Sequence, residues 1–175
     1  MKKAFCGRVF LFIGMCWLGQ GTVKCTPLVA EPTIKIIRVS PSGSITLEIG
    51  NHFKEPLKLW EESNSWGAAR WRILRIRHGQ IEAFFQNPYQ IFTVNVPTVD
   101  EIAAGGHLER ALDLNGGNWC GFGHCDSYNE RGFAGKKVSF EPNDSIIVIY
   151  DVPPTKEAQD MSVWHGVAAA FKTVE

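Results

Sequence analysis

The residues with the clearest chemical potential lie around two closely spaced cysteines, Cys120 and Cys125. They lie five positions apart, and two glycines between them let the chain bend. In an oxidising compartment such a pair favours a local disulfide. Two alternatives stay open: a pair of free thiols, or a zinc site in which His124 and His107 join the thiolates. The zinc alternative has the weaker spacing, because zinc ligands typically form two paired groups at stereotyped intervals.

Aromatic side chains are the most prominent candidates for ligand binding. The candidates are Trp66, Trp119 and Tyr89, whose rings offer rigid apolar faces on which a ligand can stack. The same rings can instead fill the core, where most apolar area goes. We expect Trp66, in a polar loop, to keep some exposed surface, and we expect Trp71 and Trp164 to be buried in facing or neighbouring strands.

Catalysis finds little support in the sequence. It contains no Gly-x-Ser-x-Gly elbow, no His-Glu-x-x-His segment and no phosphate-binding glycine loop. Adjacent carboxylates at residues 61–62 and 100–101 would point to opposite faces of a strand and make poor paired acids. Oxygen ligands suited to calcium gather in residues 113–126, but their spacing matches no recognised loop. We therefore predict a non-enzymatic protein with no metal or other cofactor.

The first 21 residues have the three-part layout of a secretory signal peptide. A basic start at residues 2–8 leads into an apolar run over residues 9–18, and small and polar residues follow. The apolar run holds about ten residues, whereas a helix needs about 20 to cross a bilayer, so no permanent membrane span is expected. We predict cleavage near Gly21, with a later cut near Ala30 as an alternative, and a secreted or periplasmic product.

The composition describes a chain of balanced charge. The 175 residues include 18 basic and 18 acidic ones, and loss of residues 1–21 would leave 15 against 18, a net charge of −3 with histidine neutral. Without a basic patch to neutralise phosphates, nucleic acid is a poor candidate partner. A mature chain of about 150 residues suits one domain. We therefore divide the sequence into the signal peptide 1–21, an N-terminal linker 22–33 and a single domain 34–175.

Short segments separated by turn residues run through the predicted domain. Residues 44–50 alternate between apolar and polar side chains, which is typical of a strand with one face on a core. In residues 71–77 the apolar phase slips, and we explain the slip by a β-bulge near Leu74. Residues 97–104 are expected to form a connection with one helical turn, and residues 146–152 a central buried strand. The remaining predicted strands cover residues 34–39, 56–60, 81–85, 91–96, 107–114, 138–140 and 162–171.

About nine strands without a long helical period indicate an all-β protein, an immunoglobulin-like antiparallel β-sandwich. Four features follow one another in the sequence. They are a strand ending in Asn51, a Pro-apolar segment 56–60, a Trp-led strand to Gly79 and a glycine turn at 105–106. This order resembles small bacterial immunoglobulin-like sandwiches of the Bacillus intracellular proteinase-inhibitor family. It is also similar to uncharacterised exported bacterial proteins with a late Val-Trp-x-Gly strand, here residues 163–166. The resemblance implies the fold, and no inhibitory loop residue transfers.

The leading functional prediction is an exported, non-enzymatic β-sandwich that binds a protein or a carbohydrate through loops at one end. The first alternative is a protease inhibitor, in which one loop enters an active site as an extended strand. The second is a metal-binding protein or an enzyme centred on the loop between Cys120 and Cys125.

Overall fold

The computed structural model describes residues 31–87, 92, 95–116, 119–121 and 137–175. In these ranges the chain forms ten strands and one short helix, α1 (Lys156–Asp160). The predicted signal peptide, Tyr89, Cys125 and half of the predicted strand 91–96 lie outside the described residues. The strands are β1 (Thr33–Val39), β2 (Ser44–Gly50), β3 (Leu57–Trp60), β4 (Trp71–Arg77), β5 (Gln80–Gln86), β6 (Val99–Ile102), β7 (His107–Asp113), β8 (Trp119–Gly121), β9 (Ser145–Val152) and β10 (Gly166–Thr173).

The strands form three antiparallel sheets. One has the order β1-β2-β7, the second has the order β10-β9-β4-β5-β8, and the third pairs β3 with β6. Buried side chains from all three sheets join in one hydrophobic core. These observations confirm the predicted all-β antiparallel sandwich of about nine strands, while its immunoglobulin-like character stays a prediction.

The segments with the most regular sequence patterns form strands at the predicted positions. The alternation of residues 44–50 places Ile45, Leu47 and Ile49 in the core, fully buried. β9 lies between β10 and β4 in the large sheet, as predicted for a central strand. The turn at His78 and Gly79 joins β4 to β5, and both residues have positive φ angles, of 50° and 76°. Such a pair of angles is the signature of a type I′ hairpin.

The predicted bulge in β4 is wrong. The pairing of β4 with β5 and with β9 runs along the strand without a shift in register. The apolar phase slips because Arg75 takes the inward position that follows Ile73, while Leu74 lies half-buried on the other face. A buried guanidinium is tolerated there because it is paired, in this case with Glu82.

Two other segments differ from their sequence-based assignments. In place of a helical turn, residues 97–104 contain β6, which pairs with β3 so that Ile102 lies opposite Leu57 in the core. Residues 138–140 keep the alternation of a strand, with Val138 and Phe140 buried, but they join no ladder. In both cases long-range packing decides the outcome and local propensity does not.

No helix in the described ranges is long and apolar enough to cross a membrane.

Candidate functional site

A cleft of about 590 Å³ opens at one end of the sandwich. Residues 53–58, which lead into β3, form one wall, and residues 158–165, which lead from α1 into β10, form the other. Binding sites for small molecules typically occupy a few hundred cubic ångströms and are lined mainly by apolar groups. The apolar lining side chains are Phe53, Pro56, Leu57, Ala158, Val163 and Trp164.

A buried asparagine shapes the first wall. The side-chain amide of Asn51 donates hydrogen bonds to the carbonyl oxygens of Ile102 at 2.8 Å and Glu55 at 3.0 Å. Its side-chain oxygen accepts a 2.8 Å hydrogen bond from the backbone N–H of Phe53. Because both the amide N–H groups and the oxygen of this side chain form hydrogen bonds, the turn after β2 is fixed and Phe53 is held at the cleft.

The second wall is fixed by the helix and its exit. Thr155 caps α1 by accepting a hydrogen bond from the N–H of Ala158. The chain then turns at Ser162, whose φ angle is 56°, and Val163 donates its N–H to the carbonyl of Ala158 at 2.8 Å. A single positive φ at a residue other than glycine is uncommon and marks a turn that its surroundings enforce.

The two walls are tied together. The backbone N–H of Trp164 donates a 2.9 Å hydrogen bond to the carbonyl of Lys58. Since this bond joins residues more than a hundred positions apart in the chain, it sets the spacing of the walls directly. The cleft is therefore preformed, and a ligand need not order it on binding.

Trp164, which lines the cleft, belongs to a row of three aromatic rings in contact with one another. Trp164 lies parallel to Tyr150 with 6.0 Å between ring centroids, and Tyr150 in turn contacts Trp71 at 4.4 Å. All three residues are buried, which confirms the expected burial of both tryptophans, although Trp164 precedes β10 and is not part of a strand. Burial holds the pKa of the Tyr150 hydroxyl above its ordinary value, so the phenol stays neutral.

The charged residues of the cleft are mostly basic. Lys54, Lys58 and His165 line it together with one carboxylate, Glu55. Neither lysine has an ion-pair partner within the described ranges. The cleft thus combines an apolar interior with a rim that favours negative charge.

Trp66 and Trp119, two of the three aromatic residues singled out from the sequence, are not among the residues that line the cleft. Trp66 is half-buried, with its ring 6.1 Å from that of Trp60, and Asn64 braces its loop by accepting hydrogen bonds from the backbone N–H groups of residues 66 and 67. Trp119 lies in β8 with only 4% of its surface exposed, which leaves almost no ring area for a ligand. Tyr89 lies outside the described residues. Of the two described residues, Trp66 is therefore the one with exposed surface.

The cysteine loop is described only at its start. Cys120 lies in β8 and is buried, opposite Phe85 of β5. Its predicted partner, Cys125, and the nearby His124 lie outside the described residues, so the disulfide stays a prediction that alkylation and mass spectrometry with and without reductant would decide. Within the described ranges, no group of three or more His, Cys, Asp or Glu side chains could hold a metal ion.

One carboxylate from each of the two adjacent acidic pairs meets the half-buried Arg110. Arg110 donates hydrogen bonds to Glu62, at 2.8 Å, and to Asp100. Gln86 adds a 2.9 Å hydrogen bond to the same glutamate. The arrangement is an ion triad between the sheets, in which one guanidinium is paired with two carboxylates.

A second ionic cluster lies where β4 ends. Arg77 donates two hydrogen bonds to Asp144, of 2.8 and 2.7 Å, and a third to Glu141 at 2.7 Å. The hydrogen bond from Arg77 holds the pKa of the buried Asp144 carboxyl below its usual range. The same bond raises the pKa of Arg77. Both groups are therefore charged at neutral pH.

The fold and the cleft define an all-β sandwich with a preformed, mainly apolar cavity at one end. A comparison of the chain with protein-family models, curated proteins and solved structures finds no match. The function must therefore be argued from the site alone.

Proposed function

We propose that this protein is an exported, non-enzymatic binding module whose ligand enters the cleft between residues 53–58 and 158–165. The observation that supports this most strongly is the cleft itself, a cavity of about 590 Å³ with an apolar interior and walls joined by a backbone hydrogen bond. Export rests on the signal-peptide pattern of residues 1–21.

The lining favours an amphipathic ligand with an apolar body and an anionic head. Phe53, Leu57 and Trp164 offer apolar surface, and burying a ligand chain against them yields about 25 cal/mol per Å². The rim lysines, Lys54 and Lys58, suit a carboxylate or a similar anion. A sugar fits this lining less well, because its hydroxyl groups need more polar partners than the interior offers.

The experiment compares two ligands with the same tail and opposite heads. Dodecanoate and dodecyltrimethylammonium are titrated into the purified protein in a calorimeter. We expect saturable binding of dodecanoate about tenfold tighter than that of the cation, a difference of about 1.4 kcal/mol. The apolar tail alone should give both ligands some affinity.

Matched variants locate the binding. Lys54→Glu places a negative charge at the rim and should reverse the head-group preference. Arg38→Glu makes the same charge change at an exposed position of β1. Arg38 pairs with Thr46 near the start of β2 and is not among the residues that line the cleft, so this variant should leave the head-group preference unchanged. If neither ligand binds saturably, or if both variants behave alike, the proposal is wrong.

A further inference from the structure

A second cavity lies at the opposite end of β4, and its lining is polar. It has a volume of about 180 Å³ and lies between the β4–β5 hairpin and the extended segment 137–140. Four basic residues line it, Arg75, Arg77, His78 and Lys137, against one lining carboxylate, Glu82. With His78 counted as neutral, the lining carries three positive charges and one negative charge.

Arg75 is the most buried of these groups, with 9% of its side chain exposed. Its guanidinium donates to Glu82 and to the carbonyl oxygen of Ser139. These bonds fix the plane of the group and leave some of its N–H donors unused among the described residues. A buried, oriented guanidinium with spare donors suits an anionic ligand.

Two carboxylates orient the side chain of Arg77. Its partners Asp144 and Glu141 are not among the residues that line the cavity, whereas Arg77 is. Arg77 also shares the carbonyl oxygen of Ser139 with Arg75, which places the two guanidinium groups side by side. Two adjacent cations are costly unless anions offset both of them; here Glu82 pairs with Arg75, while Asp144 and Glu141 pair with Arg77.

Lys137 completes the basic lining. It is exposed, it has no ion-pair partner in the described part of the chain, and the segment that carries it is fixed in place. Asn115 fixes that segment by accepting the N–H of Val138 at 2.8 Å and donating to its carbonyl oxygen at 3.0 Å. Lys137 therefore lines the cavity from a backbone segment that Asn115 holds in place.

We propose that this cavity binds a small tetrahedral oxyanion of the phosphate or sulfate type, held by Arg75, Arg77 and Lys137. Its volume equals that of about six waters, which is enough for such an ion and part of its hydration but too little for a large organic molecule. Arginine forks match the spacing of oxyanion oxygens, and lysine adds a point charge. The inference is independent of the function proposed for the apolar cleft.

The test is a titration of inorganic phosphate at constant ionic strength, with chloride as the replaced ion. We expect saturable binding and a rise in melting temperature that follows it, since a ligand that binds only the folded state stabilises it. Phenyl phosphate forms the second arm. Comparable binding of both ligands indicates that the site takes the terminal phosphate of a larger molecule, and binding of inorganic phosphate alone indicates a free ion.

Two double variants, each replacing two lining side chains of one cavity, decide where the ion binds. His78→Asn with Lys137→Gln removes two lining groups, and asparagine tolerates the positive φ of that turn, so the hairpin is kept. We expect this variant to bind phosphate at least about tenfold more weakly. Lys54→Gln with Lys58→Gln alters the apolar cleft instead and should bind phosphate like the wild type. Absence of saturable binding, or equal weakening in both variants, overturns the proposal.

Discussion

The two ends of β4 present opposite chemistry along one face of one strand. At its start Trp71 packs on Tyr150, which in turn packs on Trp164 at the apolar cleft. At its end Arg75 and Arg77 are held by carboxylates beside the polar cavity. The comparison shows how one strand can support two kinds of site: stacked rings make a rigid apolar wall, and paired ions hold charges in fixed positions.

The two ends should also stabilise the fold by different means. Burial of rings depends on removing apolar surface from water, which does not respond to pH. A buried ion pair depends on both partners staying charged, and it is lost when one of them is neutralised. Stability measurements on matched variants of the two ends can therefore separate the contributions.

The largest effect is expected at the aromatic end. Trp71→Ala removes a buried ring that contacts Tyr150 and should lower the free energy of unfolding by about 4 kcal/mol. Phe171→Ala is the control, because that ring is 62% exposed, and it should cost no more than about 0.5 kcal/mol. Denaturant melts measure both, and similar losses in the two variants would show that Trp71 does not anchor the core.

A smaller loss is expected at the ionic end. Asp144→Ala removes the buried partner of Arg77 and should lower the free energy of unfolding by about 2–3 kcal/mol, since it leaves a guanidinium without its main acceptor. Asp160→Ala breaks an exposed pair with Lys156 and should cost at most about 0.5 kcal/mol. A loss in Asp144→Ala that is no greater than in the control would mean that the buried pair adds nothing to stability.

Loss of the Trp66 ring should destabilise the fold less than loss of either Trp71 or Asp144. Its ring is half-buried against Trp60, so Trp66→Ala should lower the free energy of unfolding by about 1–2 kcal/mol, clearly less than Trp71→Ala. The same denaturant melts compare them. If Trp66→Ala is as destabilising as Trp71→Ala, the ring is structural and a binding role for it loses its support.

Of the two ends of β4, only the ionic end should contribute to the pH dependence of stability. The folded pKa of Asp144 is lowered by Arg77, so the stability that this group contributes is present above the unfolded pKa of about 3.9 and is lost as pH falls through the folded value. The free energy of unfolding should therefore fall more steeply with decreasing pH in the wild type than in Asp144→Asn. Trp71→Ala should keep the wild-type slope. Equal slopes in the wild type and Asp144→Asn would contradict the assignment.

Local patterns predicted the elements that local chemistry determines. The alternation of residues 44–50 matches β2 residue for residue, because one face of that strand is in the core and its partners follow the same pleat. The hairpin at residues 78–79 was also predictable, since glycine readily supplies one of the two positive φ angles that the turn requires.

The sites could not be predicted because they join distant segments. Arg75 takes an inward position that only its contacts with Glu82 and with Ser139, 64 residues away, make acceptable. The walls of the apolar cleft lie far apart in the chain, and each looks like an ordinary loop by itself. An arginine in the apolar phase of a strand is the one local signal that could have indicated the ionic end.

The most direct test of the central claim is a nuclear magnetic resonance titration that follows the indole N–H signals of ¹⁵N-labelled protein as dodecanoate is added. Trp164 lines the cleft, whereas Trp66 does not, and the variants Trp164→Phe and Trp66→Phe assign the two signals. We predict that the Trp164 signal shifts saturably, with the affinity measured by calorimetry, while the Trp66 signal stays in place. A shift of the Trp66 signal with Trp164 unchanged would contradict the account and place the ligand at the other loop.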